Sequence, residues 1–285
     1  MQNKRTTNKL FYPKEYQMNQ TLIFNLLALA ALLPASVLPV RGEKSSRDWV
    51  FWVVLALAWL GPFLWAGYSM SGVWRSGFSI TLWVTIAVSL TLFALLATFV
   101  RDAWRLTPLM SPYMMVLGVV ATVFWHQGSG SGLAQSAPGG WVGVHIVVSL
   151  VTYGLVTVAA VAALAAFIQD RALKLKHPNK LTHMLPSVTD CEGLSVRLLG
   201  WGEIVLGVGL ASGMATKFME TGDFLSFDHK TVLSFAAFAI IGAILLAHHK
   251  TGIRGRKAAR LVLLAYLLLS LGYIGVKLVT DVLMA

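Results

Sequence analysis

Apolar and polar positions along this chain alternate on a long scale: eight apolar stretches separated by short polar connections. They fall at about 20–40, 49–68, 78–99, 107–125, 142–168, 197–215, 230–248 and 260–280. Each approaches the ~20 residues that a helix needs to cross ~30 Å of hydrocarbon. The pattern predicts an all-α, polytopic membrane protein with eight transmembrane helices. Pro34, Pro39 and Pro62 lie inside the first two stretches and predict local kinks or breaks there. Gln127–Gly140 is a Gly/Ser-rich, uncharged connection. Gln169–Val196 is polar and basic, holds Pro178 and Pro186, and reads as a loop with at most short helices.

Polar residues inside the apolar stretches carry the most information. His145, Ser149, Thr152 and Tyr153 fall at i, i+4, i+7 and i+8, one face of the fifth span. Such a stripe must face protein, water or a ligand rather than lipid. An ionisable ring in a membrane helix reads as functional; the alternative is a packed histidine bonded to a neighbouring helix. Glu203 lies near the inner end of the sixth span, either as a functional group or paired with Arg197 two turns away. Gly202, Gly207, Gly209 and Gly213 make that helix small-faced and suited to close packing. Thr81, Thr85 and Ser89 form another stripe on span three, which interhelical hydrogen bonds would explain.

Composition agrees: 56% of residues are hydrophobic and only 12% charged, against about a quarter charged in soluble domains. The net charge of +11 does not point to nucleic acid, because the cations cluster in alternate connections. Arg41, Lys44 and Arg47, then Arg101 and Arg105, then Arg171 to Arg197, then Lys250 to Arg260 occupy the odd connections. The even ones carry Arg75, Lys217 and Lys230. The odd connections are expected in the cytoplasm and both termini outside. The basic tail with Lys4, Arg5, Lys9 and Lys14 disagrees with that orientation. Residues 1–19 are therefore expected to be a separate tail, with Met18 as a candidate start and a cleaved signal peptide as the rival. Residues 20–125 and 126–285 would form two four-helix membrane halves.

Cys191 is the single cysteine, which excludes an internal disulfide, a CxxC pair and covalent c-type haem attachment. No Walker loop, dinucleotide fingerprint or HExxH motif occurs, so neither a hydrolase nor an ATP-driven pump is expected. All seven histidines lie at or beyond position 126. His126, His145 and His229 would sit near the outer surface, His248 and His249 at the inner end of span seven. His229 and His248 are 19 residues apart on one helix, roughly 28 Å, so they cannot share one iron. The outer layer suits non-covalent haem b: neutral imidazoles as axial ligands and apolar walls for the ring. His145 is the first candidate for the iron, with His229 or His126 as the second ligand. His229 could equally be an interfacial residue. His248 with His249 could form an inner haem site or simply join the cytoplasmic cation cluster.

With these segments in view, the chain resembles the cytochrome c assembly protein family, the CcsA/ResC and haem-exporter-C group. The carrying segments are Val144–Tyr153, Gly202–Gly213 (GEIVLGVGLASG), His229–Ser234 (HKTVLS), Gly252–Lys257 (GIRGRK) and Tyr273–Val276, over about residues 140–280. The resemblance implies that His145 is an outer-side haem ligand. It is nearest to a small eight-helix inner-membrane branch. Between spans six and seven, where the family carries a tryptophan-rich haem-handling motif, Lys217–Asp228 holds Phe218, Phe224 and Phe227 but no Trp. What carries over is a haem-binding role in the bacterial inner membrane, in cytochrome c assembly or haem biogenesis, with no enzymatic activity. Expected partners are the lipid bilayer, haem and other cytochrome-assembly membrane proteins, and no nucleic acid. Two other readings stay open: a membrane anchor regulating a soluble partner such as a haem-synthesis enzyme, and a solute or ion transporter.

Overall fold

The computed structural model describes residues 14–41, 48–70, 77–125, 139–222, 229–252 and 255–283. His126, Trp74, Phe224, Phe227 and residues 1–13 of the tail lie outside the described residues. The described residues form helices and no strands. They are α1 (Lys14–Arg41), α2 (Trp49–Met70), α3 (Phe78–Phe99), α4 (Thr107–Val123), α5 (Gly139–Leu175), α6 (Lys180–Met184), α7 (Val188–Thr221), α8 (His229–Thr251) and α9 (Arg256–Ser270). A 3₁₀ turn, Ala103–Leu106, leads into α4. After Ser270 the last helix widens into π-turns at Leu271–Gly275 and Val279–Leu283. Eight helices are long and apolar enough to cross a membrane, α6 being the short exception.

Close backbone approaches hold the bundle, as expected where lipid removes the hydrophobic drive between helices. At Gly61 a Cβ would lie 2.5 Å from the Ala31 Cβ and 3.3 Å from the Ala28 backbone, so α1 and α2 touch there. At the centre of the first half the buried Trp83 indole donates to the side-chain oxygen of buried Asn25. α5 links the halves: its Gly154 packs against Leu92 and Ser89 of α3. The alanine-rich stretch Ala159–Ala166 of α5 is almost entirely buried, and its Ala159 carbonyl accepts from the Ser195 hydroxyl of α7 at 3.0 Å. α5, α7, α8 and α9 form the second half.

Two expectations need correction, and a third holds at one residue. The segment Gln169–Val196 is mostly helical: α5 runs to Leu175, α6 fills Lys180–Met184 and α7 begins at Val188. The polar residues there are caps and ties rather than loop formers. Asn179 and Thr182 make a reciprocal capping box on α6, and Ser187 caps α7. The Gln169 amide donates to the Thr182 carbonyl at 2.7 Å, and Arg105 Nε to the Met184 carbonyl at 2.9 Å. At 37 residues, α5 is about 55 Å long and outruns the hydrocarbon. Of the kinks or breaks expected at the prolines, the breaks do not occur: α1 continues through Pro34 and Pro39, and α2 through Pro62. The stripe on α3 is interhelical at one position: Thr85 shares a side-chain hydrogen bond with Tyr273 of the last helix. Thr81 and Thr85 donate back to the carbonyls four residues earlier, and the buried Ser89 hydroxyl has no partner.

Candidate functional site

The second half encloses two separate cavities between the same four helices, one toward each end. The cavity nearer the end of α7 and the start of α8, outer on the orientation expected from the charge pattern, measures about 80 Å³. His145, Ser149, Thr152 and Tyr153 of α5 form one wall, so the stripe read from the sequence faces a single space. Leu206 and Gly209 of α7, Ser234 of α8, and Gly272 and Tyr273 of α9 complete it. Gly272 and Tyr273 reach it from the π-turn at Leu271–Gly275, an irregularity that recurs at functional sites.

The His145 imidazole is held between α5 and α7. Its Nδ1 lies 2.9 Å from the Ser212 hydroxyl, and that hydroxyl in turn donates to the Gly209 carbonyl at 2.9 Å. A serine has one proton to give. With that proton on Gly209, Ser212 accepts from His145 Nδ1–H. In that tautomer the neutral ring carries its lone pair on Nε2, as in a metal-ligating histidine whose other nitrogen is anchored. Gly213 makes room for the ring: a Cβ there would lie 3.0 Å from its Cε1. Sequence reasoning noticed the glycines of this helix but missed Ser212. Its place three residues after Gly209 and beside Gly213, on the same helix face, was the available signal.

Below the cavity lies a knot of tyrosine hydroxyls that the sequence did not reveal. Tyr113 of α4 and Tyr266 of α9 bond directly, Tyr153 lies 3.0 Å from Tyr266 and 3.4 Å from Tyr113, and Ser270 is 3.2 Å from Tyr153. The Tyr153 ring walls the cavity, 5.5 Å between centroids from Tyr273, while its hydroxyl turns into this knot. Shared hydroxyl bonds at this depth satisfy groups that would otherwise be orphaned in hydrocarbon.

The other predicted residues are not brought to His145. His229 is the first residue of α8, exposed, and does not line the cavity, although Ser234 five residues further on does. It is on the same side as His145, since α7 ends and α8 begins there. His248 lines the second, inner cavity of about 30 Å³ with Glu192, Ser195 and alanines of α5, α8 and α9. Glu192 Oε1 accepts the Gly255 N–H at 2.6 Å, and Asp170 pairs with Arg256 at 3.1 Å and Lys174 at 2.8 Å. No ion pair joins Glu203 to Arg197 among the described residues; Arg197 is exposed, and six residues turn the helix 600°, onto another face. No group of three or more metal-ligating side chains occurs among the described residues.

For haem, the donor chemistry fits: one imidazole anchored through Nδ1, in largely apolar surroundings. The volume covers only the space next to an iron. A porphyrin is several times larger, so loading requires these four helices to part.

A family model described as cytochrome C assembly protein matches residues 49–284, reaching back into the first half beyond the segments quoted above. An uncharacterised 28.8 kDa protein from the nifR3-like 5′ region of Azospirillum brasilense is 51% identical, covering 94% of this chain and 100% of that protein. The cytochrome c biogenesis protein CcsA of Synechococcus sp. (strain CC9902) is 23% identical over 90% of this chain and 94% of its own length. The protein HemX of Brevibacillus brevis is 24% identical over 46% of this chain and 48% of its own. With its eight apolar helices and a family match over most of its length, the chain belongs to the cytochrome c assembly protein family.

Proposed function

We propose that this protein binds haem b non-covalently in the outer cavity, with His145 as an axial ligand to the iron, and serves cytochrome c assembly or haem biogenesis in the bacterial cytoplasmic membrane. The observation that carries the reading is the His145–Ser212–Gly209 chain of bonds. It fixes the orientation of an imidazole among apolar helices beside the cavity. Family membership supports the biogenesis role, as do a relative named for cytochrome c biogenesis and another named HemX. When bound, haem supplies redox-active iron or is itself the cargo. The chain's own residues anchor the imidazole (Ser212), leave space for it (Gly213) and wall the adjoining space (Tyr153, Tyr273). His229, on the same side, is a candidate for a second ligand after the helices part. The protein acts as a binding protein, not as a catalyst.

The test is an absorption spectrum of the purified protein supplied with haem. The wild type is expected to show a Soret band, His145→Ala to lose most of it while remaining folded, and His248→Ala to keep it. A wild type without a Soret band refutes the haem reading and leaves anchoring or transport.

A further inference from the structure

One charged side chain in the second half has no role in the site above. Glu203 sits on α7 one turn below Leu206, which walls the outer cavity. Its Oε2 is enclosed and has no hydrogen-bond partner. Its Oε1 lies against Gly242 of α8, where a Cβ would be 3.0 Å away; any larger residue would displace the carboxyl. The neighbouring helices offer no counter-charge at that depth. From 198 to 216, α7 holds no other titratable side chain. α8 holds none from 231 to 247, nor does α5 from 154 to 168, the stretch whose Leu155 and Val156 meet the adjacent Gly202. α9 contributes only Tyr266 between 261 and 272, and that hydroxyl is engaged with Tyr113 and Tyr153. On α7 itself Arg197 points elsewhere and Lys217 is fourteen residues away, roughly 21 Å.

We propose that Glu203 is a membrane-embedded proton-binding site, coupled to the charge of the group held in the outer cavity. An unpaired carboxylate in hydrocarbon is costly, and taking up a proton removes that cost. The coupling rests on the haem reading. His145 meets α7 at Ser212 and Gly213, nine and ten residues above Glu203, or about 14 Å. At an effective dielectric of ~20, a unit change of charge over that distance alters proton affinity on the order of tenfold. Reducing ferric to ferrous haem adds one electron from the reductant used. The Glu203 carboxylate then takes one proton from solvent and becomes the neutral acid, so the charge added in the cavity is balanced within the membrane. Gly242 and the lack of a cation keep the carboxyl responsive instead of locking it in an ion pair.

Two arms test this on the purified full chain. Dicyclohexylcarbodiimide reacts with a protonated carboxyl, whose O–H adds across a C=N bond; rearrangement to the N-acylurea leaves one whole reagent on the side chain. Peptide mass mapping is expected to find it on Glu203, with labelling that falls as pH rises and vanishes in Glu203→Gln. In the second arm the midpoint potential of bound haem is followed against pH. The wild type is expected to fall in potential as pH rises through the neutral range, because reduction takes up a proton; Glu203→Gln should be flatter. No label on Glu203 at any pH overturns the proton site. An unchanged slope in Glu203→Gln overturns the coupling. A wild type that binds no haem overturns the coupling together with the haem reading, while labelling still decides whether Glu203 holds a proton.

Discussion

Replacing Gly213 by alanine tests the placement of His145 most directly, because the three atoms nearest the new methyl group all belong to the imidazole. The new Cβ would lie 3.0 Å from Cε1, 3.6 Å from Nδ1 and 3.7 Å from Nε2. Carbon atoms rest at about 3.5–4.0 Å, so the ring must retreat by roughly 0.5–1 Å. It is tethered to Ser212 at 2.9 Å, and a retreat of that size stretches the bond toward the limit of a hydrogen bond, about 3.5 Å. Overpacking costs about 1–3 kcal/mol, while the Gly→Ala change in a helix returns up to ~1 kcal/mol. The net loss of stability is about 0–2 kcal/mol, and the protein should still insert and purify. Ligand geometry tolerates less, since displacements near ~0.5 Å already matter. Haem affinity is expected to fall about 10–100-fold, or about 1.4–2.8 kcal/mol. Titrating apoprotein with haem and following the Soret band measures it. Gly143→Ala is the control: it lies two residues before His145 with open space around it, and should bind as the wild type does. If Gly213→Ala binds haem with unchanged affinity and spectrum, the imidazole seen beside Gly213 is not the ligand.

Ser212→Ala should keep the fold and lower haem affinity about 10–100-fold by freeing the ring to rotate and change tautomer; an unchanged titration would remove Ser212 from the site. Gly61→Ala should lower the melting temperature in detergent, because its Cβ would meet the Ala31 Cβ at 2.5 Å and backbone at 3.3 Å. A loss of about 1–3 kcal/mol is expected, with Gly67→Ala, in open space, close to the wild type. A reporter active only outside the cytoplasm should be on when fused at residue 135 and off at residue 175; the reverse would invert the outer and inner assignments of both cavities.

What the sequence determined by itself rests on periodicity and transfer free energy. Runs of ~20 apolar residues can only be spanning helices, because an unpaired backbone is intolerable in lipid. A polar stripe on such a helix can only face inward, so His145, Ser149, Thr152 and Tyr153 were assignable to one protected space before any contact was known. The small face of α7 was legible for the same reason. What bonds to what was not. Ser212 is 67 residues from His145, and Tyr266 is 153 residues from Tyr113; no local pattern encodes such pairings. That His229 does not reach the His145 cavity came from helix packing, as did the isolation of Glu203, since its Arg197 neighbour in sequence is not a neighbour in space. The polar stretch after Gln169 looked like a loop because capping residues and loop residues are the same types. Only the tertiary structure showed Asn179 and Ser187 satisfying helix ends, with Gln169 and Arg105 holding the turns between them.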